Sequence, residues 1–316
     1  MIIDAHAHLW MRQNTVVDGK PIRTLSPNGS RSNFMGQEVQ MLPPFMIDGQ
    51  NSAEIFLSNM DYAQVGGAVI VQEIIDGMQN EYLLEVQQRH PQRFFCYGMP
   101  ELRKDQRRAR GLMDPLSQTQ QMLEIGFRGI SLPGHRYFAP GSGIELNSPE
   151  MMEVYKCLED NNAYLSMCLY DGDYHISQME EVIAECPRLK IVIGHFGMVT
   201  VPGWQEQIRL ARHPNVYVES GGITWLFNAE FYPFRGAVRA IREAIDLVGP
   251  DKLMWGSDYP RTITAITYRM SYDFIVKDPD HLLTADEKRL FLGENARQLY
   301  GFHQLPDLPY IKNMSE

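Results

Sequence analysis

The sequence predicts a distorted (β/α)8 barrel of the α/β class, and three observations predict it. Eight short apolar runs recur along the 316 residues, segments of helical period separate them, and polar residues gather at one end of almost every run. The runs fall at 2–8, 67–73, 93–99, 127–132, 163–170, 190–196, 215–219 and 252–258. Most are continuously apolar rather than alternating, the pattern of parallel strands buried on both faces. The helical segments are 52–64, 80–89, 117–124, 148–161, 176–184, 204–211, 235–248 and 284–300. The first opens on Ser52 and carries Ile55, Phe56, Met60 and Tyr62. The fourth opens Ser148-Pro149-Glu150-Met151, a capping serine followed by proline at the first helical position. Eight strand–helix repeats with no break in composition predict one barrel domain over 1–316. A doubly wound open sheet fits less well, because no glycine-rich phosphate loop follows the first strand. Residues 11–51 carry scattered Gly, Pro, Asn and Ser with little periodicity, and read as a long lid-like loop inserted after the first strand.

Composition bounds the function. The net charge of −10 argues against attraction to nucleic acid or to an anionic membrane. No apolar run approaches the roughly 20 residues that a membrane span needs. Asp4, His6 and His8 interrupt what would have to be the apolar part of a secretory signal. Cys96, Cys157, Cys168 and Cys186 form no CxxC pair and read as reduced thiols. A cytoplasmic protein with a small-molecule substrate is expected.

In such a barrel the chemistry sits at the C-terminal ends of the strands. The first run ends Asp4-Ala5-His6-Ala7-His8, and a two-residue spacing on a strand puts both imidazoles on one face, able to share one ion or one substrate. The second ends at Glu73, the fourth runs into His135-Arg136, and the fifth leads to Tyr170-Asp171. The sixth ends at His195, the seventh at Glu219 and the eighth at Asp258. A lone buried histidine is more often a satisfied core residue, and a lone aspartate can be a helix cap. Three such signals on one predicted face make His6, His8, His195 and Asp258 the core of a site. Glu73 and Glu219 read either as substrate contacts or as barrel-mouth ion-pair residues. His135 and Arg136 suit a substrate anion, and Tyr170 and Asp171 suit substrate hydroxyls. His90, His175, His213 and His281 fall in helices or connections and read as surface residues.

The ordered set Ile-Asp-Ala-His6-Ala-His8-Leu-Trp, Ile-Gly-His195-Phe-Gly, Trp-Gly-Ser-Asp258-Tyr-Pro and Gly-Glu-Asn295-Ala-Arg-Gln-Leu-Tyr-Gly resembles the amidohydrolase superfamily, in its amidohydrolase 2 branch. That branch holds sugar-acid and pyrone-dicarboxylate lactonases and nonoxidative decarboxylases. The resemblance implies one divalent metal, usually Zn²⁺, with His6, His8, His195 and Asp258 as its ligands and Asp258 handling the proton of the attacking water. It also implies a homo-oligomer, as members often form. Two departures stand out. The fourth run, Phe127-Arg-Gly-Ile-Ser-Leu-Pro, lacks the bridging lysine of two-metal members, and the fifth, Leu165-Ser-Met-Cys-Leu-Tyr-Asp, lacks the histidine of the decarboxylases. Cys168 is a substitute ligand or an inert packed thiol. Loss of the histidine resembles the lactonases, some of which work without metal.

The expected activity is hydrolysis of a sugar-acid or carboxylated ring lactone, with Asp258 as base and His6, His8 and His195 polarising the carbonyl. The alternative is a mononuclear metal-dependent decarboxylase of an unsaturated or aromatic acid. A noncatalytic sugar-acid binding protein would need a missing catalytic group, and none of the central four is missing.

Overall fold

Residues 1–311 are described by a computed structural model; residues 312–316 of the expected domain lie outside the described residues. In chain order the strands are β1 (Ile2–Ala7), β2 (Asn14–Val17), β3 (Lys20–Thr24), β4 (Arg31–Phe34), β5 (Gln37–Gln40), β6 (Val65–Ile70), β7 (Phe94–Cys96), β8 (Gly129–Leu132), β9 (Tyr164–Met167), β10 (Lys190–Ile193), β11 (Val216–Glu219) and β12 (Leu253–Met254). Strand β1 and β6 to β12 coincide with the eight apolar runs. They pair in parallel as β1-β6-β7 and as β12-β11-β10-β9-β8. Single parallel bridges, Gly98 with Ile130 and Ala7 with Tyr259, join these two sheets at both seams. At the second seam Ala5 N–H donates to Trp255 O at 2.9 Å, Asp258 N–H to His6 O at 2.9 Å and His8 N–H to Tyr259 O at 2.8 Å. The chain is therefore a distorted (β/α)8 barrel, with bridges instead of full ladders at its seams.

The core follows from that closure. Ile3, Val69, Phe95, Tyr164, Val192 and Met254 come from six different strands yet form one buried cluster, which only the inside of a ring permits. Tyr300 and Phe302 of the C-terminal segment join it. A larger cluster lies between the strands and the helices. The helices start where their caps place them: Ser52 Oγ accepts from Ile55 N–H and Ser148 Oγ from Met151 N–H.

The last helix contains a feature that periodicity does not show. It runs Ala285–Arg289, loosens into a π turn over Leu290–Glu294, and resumes at Asn295–Tyr300. The π turn frees the Phe291 carbonyl to accept Trp255 N–H at 2.8 Å, just past the two-residue β12. The Asn295 side chain completes the join by donating to Pro250 O and Leu253 O at 2.7 and 2.8 Å. Gly293 lies against strand β1, where a Cβ would come 2.5 Å from Met1 O and 3.2 Å from Ile3 N. These are backbone atoms and cannot rotate away. Gly293→Ala is expected to cost about 1–3 kcal/mol in urea unfolding, an overpacking penalty; a change under about 0.5 kcal/mol would show that the helix slides freely on β1.

Two expectations need correction. Residues 11–51 are not a structureless loop: β2-β3-β4-β5 form an antiparallel sheet in sequence order, with Asp18-Gly19 and Met35-Gly36 as its two-residue hairpin turns. All four turn residues have positive φ, as tight hairpins require. The apolar runs also overshoot the strands. His195 and Asp258 lie beyond the ends of β10 and β12, at φ 59° and 60°. No helix among the described residues is long and apolar enough to cross a membrane.

Candidate active site

The C-terminal ends of the barrel strands open into a cavity of about 450 Å³. His6, His8, Glu73, His135, Arg136, Asp171, His195 and Asp258 all line it, as the sequence expects. Tyr170 and Glu219 do not. Tyr170 gives its N–H to His175 Nδ1 at 3.0 Å and packs on Tyr174, so it holds the fifth-strand loop. Glu219 sits behind His6, 1% exposed, with each carboxylate oxygen committed to protein groups. His175, read as a surface residue, is buried and links Tyr170 to the Phe138 carbonyl.

His6 is fixed from behind. Its Nδ1–H donates to Glu219 Oε1 at 2.7 Å, which leaves Nε2 for the cavity. That Nε2 is 3.1 Å from His8 Nε2 and 3.6 Å from Asp258 Oδ1, and His8 Nε2 is 3.0 Å from the same oxygen. Three potential ligand atoms thus converge, two ring nitrogens and one carboxylate oxygen. Bonds of about 2.0–2.1 Å to a tetrahedral ion put its ligand atoms about 3.4 Å apart, so this donor set fits one divalent cation. His8 Nδ1 is buried without a partner, 3.8 Å from Asp76 Oδ2.

Asp258 stands at the centre of the charges. Burial alone would raise its pKa. The hydrogen bond and charge of His8, with His195 and His6 nearby, outweigh burial and hold the carboxyl well below its usual range. Its Oδ2 accepts Trp225 Nε1–H at 2.9 Å. Trp225 reaches it because Gly222, at φ 72°, begins the short helix Ile223–Leu226; a Cβ there would lie 1.8 Å from Trp225 Nε1. On His6, burial disfavours the charged ring, but the Glu219 carboxylate overrides it and pushes the pKa up to about 9, so without a cation Nε2 also carries a proton at neutral pH, and a bound cation would have to displace it.

His195 differs from the expectation. Its Nδ1–H donates to Gly221 O at 2.9 Å, while burial and the neighbouring His6 lower its pKa. In the neutral ring Nε2 is then an acceptor, so donation to a carbonyl oxygen fits only the protonated form. The ligand atoms that fall within 4.8 Å of one another come from His6, His8 and Asp258, and His195 is outside that group. Its backbone lies in the left-handed region, like that of Asp258, a strain that clusters at functional sites.

On the wall after the second and fourth strands, Glu73 lies between two donors. Arg136 Nε donates to Glu73 Oε1 at 3.0 Å and His135 Nε2 lies 3.2 Å from Oε2. Burial would raise the Glu73 pKa, but His135 and Arg136 overcome it and leave the carboxyl far below its ordinary value of 4.5. A depressed folded-state pKa stabilises the fold above the unfolded value, and that contribution is lost as pH falls through the folded one. Stability to urea should therefore decline with acid from about pH 4.5 downward, and less steeply in Glu73→Gln. Parallel acid profiles for the two proteins would contradict the ion-pair assignment.

Sequence reading missed Asp4, Asp76, Trp225 and Arg261. Asp4 is fully buried and accepts from His6 N, Ser257 N, Ser257 Oγ and Tyr268 Oη, which ties the Asp258 turn to β1. Cys168 lines the cavity at the end of the fifth strand, where burial pushes its thiol far above the usual pKa, and all four cysteines are free. The Cys168 side chain is half-buried and faces the cavity.

The amidohydrolase family model matches residues 3–302. No curated protein matches the chain significantly. Among solved structures, a probable 2-pyrone-4,6-dicarboxylic acid hydrolase from Acinetobacter baumannii with citric acid bound is similar at TM-score 0.66 and 19% identity, covering 95% of this chain and 99% of that one. An amidohydrolase from Burkholderia multivorans with bound zinc is similar at TM-score 0.63 and 17% identity, over 97% and 100% of the two chains. A 5-carboxyvanillate decarboxylase from Sphingomonas paucimobilis is similar at TM-score 0.56 and 16% identity, over 82% and 86%. At these identities the likeness is one of fold.

Proposed function

The chain belongs to the amidohydrolase family, and from that footing we propose that it is a hydrolase that opens a carboxylated lactone ring. The observation that carries this reading is the pairing, across one cavity, of an ionised Asp258 with the Arg136 guanidinium, which gives only its Nε–H to Glu73. A carboxylate held against Arg136 would present the lactone carbonyl to the opposite side, where Asp258 stands. The similar fold of a probable 2-pyrone-4,6-dicarboxylic acid hydrolase supports the substrate class.

Asp258 takes a proton from the attacking water and returns it to the ring oxygen as the acyl–oxygen bond breaks. One water is consumed and a hydroxy acid is formed. Trp225 keeps Asp258 in place, and Glu219 keeps the His6 proton on Nδ1. His6, His8 and Asp258 would hold one divalent cation, which we take to be Zn²⁺. When bound, it supplies a Lewis acid for the carbonyl and the water. His195 offers an acceptor beside that centre for a water or substrate hydroxyl proton.

The rival is decarboxylation, the activity named for one similar structure. The fifth-strand end favours the hydrolase, since the place of the histidine is taken by Cys168, whose thiol burial keeps protonated. The purified chain should be given 2-pyrone-4,6-dicarboxylate, sugar-acid lactones and aromatic carboxylic acids, with ring opening and CO₂ followed separately. Ring opening without CO₂ is expected. Release of CO₂ from an aromatic acid, with every lactone untouched, would reverse the assignment.

A further inference from the structure

Arg261 follows the Asp258 turn, lines the cavity, and has no part in the scheme above. Its Nη2 donates to Asp76 Oδ1 at 2.6 Å, and its guanidinium lies 5.0 Å from the centroid of the Trp10 ring. Its Nη1 is buried with no hydrogen-bond partner. A buried cationic N–H left unpaired is costly, and an anion is the group that compensates it best.

The arginine is braced from the inserted sheet. Asp76 Oδ1 also accepts Gln13 Nε2–H at 2.8 Å, and Gln13 Oε1 accepts Ser32 Oγ–H of β4 at 2.6 Å. Gln13, Ser32 and Asp76 are all buried. A flexible cation is thereby held in one place, which is what recognition of a fixed acidic group requires.

Its position relative to Arg136 is set by topology. Arg136 follows β8, the fourth strand of the ring, and Arg261 follows β12, the eighth, so the two stand half a turn apart around the cavity mouth. Arg136 donates through Nε to Glu73, and its two Nη groups have no hydrogen-bond partner among the described residues. Two partly satisfied guanidinium groups on opposite walls suit a ligand with two acidic groups rather than one.

We propose that Arg261 is the specificity-determining residue that reads a second acidic group on the substrate, across the ring from the one held by Arg136. The inference rests on the reading of the site as one for a carboxylated ring. An arginine that served only as a partner for Asp76 would not distinguish ligands by their second acid group.

The test uses ligands that cannot react. Binding of isophthalate (two carboxylates on one ring) and benzoate (one) is measured by calorimetry on the purified chain, on Arg261→Met and on Arg261→Lys. Isophthalate should bind about ten-fold tighter than benzoate to the native chain, the least that one charge-assisted contact supplies. In Arg261→Met the ratio of the two constants should fall to within about two-fold of unity. Arg261→Lys keeps a charge for Asp76 but loses the fork, and should lower the ratio by about three-fold or more. If the methionine variant fails to fold, the lysine variant supplies the readout. A native ratio near one, or an unchanged ratio in whichever variants fold, overturns the proposal. Because neither probe is hydrolysed, a failed lactone panel beside an intact isophthalate preference would remove the hydrolase reading alone.

Discussion

Asp258→Asn should lose turnover on the lactone substrate by on the order of 10³-fold while the protein stays folded, since removing a positioned general base costs about 10²–10⁴. The two consequences separate because of how Asp258 is held. Its Oδ2 accepts from Trp225 and its Oδ1 faces His8 and His6. An asparagine can keep its carbonyl on Trp225, and its NH₂ can donate to His8 Nε2 once the His8 proton moves to Nδ1, so the Trp225 bond survives and the His8 bond reverses direction. What disappears is the negative charge. The amide cannot take the proton of water, and its NH₂ cannot ligate a cation, so the metal content of the purified chain should fall too. The checks are steady-state turnover, a thermal melt and metal analysis on one preparation. Near-native turnover in Asp258→Asn would remove Asp258 from the chemistry, and a collapsed melt would make it a structural residue.

The barrel was legible because its strands announce themselves. Runs such as Lys190–Ile193 and Val216–Glu219 are too apolar to face water and too short for helices. The site core was legible for the same reason: His6, His8, His195 and Asp258 are polar residues where an apolar run stops. The inserted sheet was available too and went unread. Asp18-Gly19 between Thr15-Val16-Val17 and Ile22 is a strong hairpin signal, but strands of four or five residues with half-exposed faces leave little periodicity around it. Other features had no local signature. Glu219 and Tyr170 both stand at strand ends, and only the third dimension shows that one turns behind His6 and the other into its own loop. Trp225 meets Asp258 across 33 positions, and nothing in its surroundings marks an indole that supports a carboxylate. Arg261 did carry a signal, immediate adjacency to the Asp258 motif, which reads equally well as a solvated loop arginine until Asp76 and Trp10 are placed around it.

Glu219→Gln should cost more than its distance from the cavity suggests, because the carboxylate sets the tautomer of His6. Oε1 accepts His6 Nδ1–H at 2.7 Å and His195 N–H at 3.1 Å, and Oε2 accepts Gly221 N–H at 2.5 Å. All three partners are donors, and Glu219 is 1% exposed. A glutamine has one acceptor oxygen and one NH₂, so at least one donor must face another donor with no water to relieve it. Leaving a buried donor unpaired costs about 1–3 kcal/mol, and the melt should fall accordingly. The chemical loss is separate. If NH₂ turns toward His6, the ring must give up its Nδ1 proton and carry one on Nε2, which is the atom the cation would need. Removing such a support for a ligating histidine typically lowers metal affinity or activity about 10–100-fold. Glu219→Gln should therefore show weakened zinc binding by competition with a chelating dye, together with a fall in turnover that added zinc partly restores. A variant with the lowered melt but undiminished zinc affinity would make Glu219 a packing residue, and the tautomer of His6 would then have to be set by the His8 and Asp258 contacts alone.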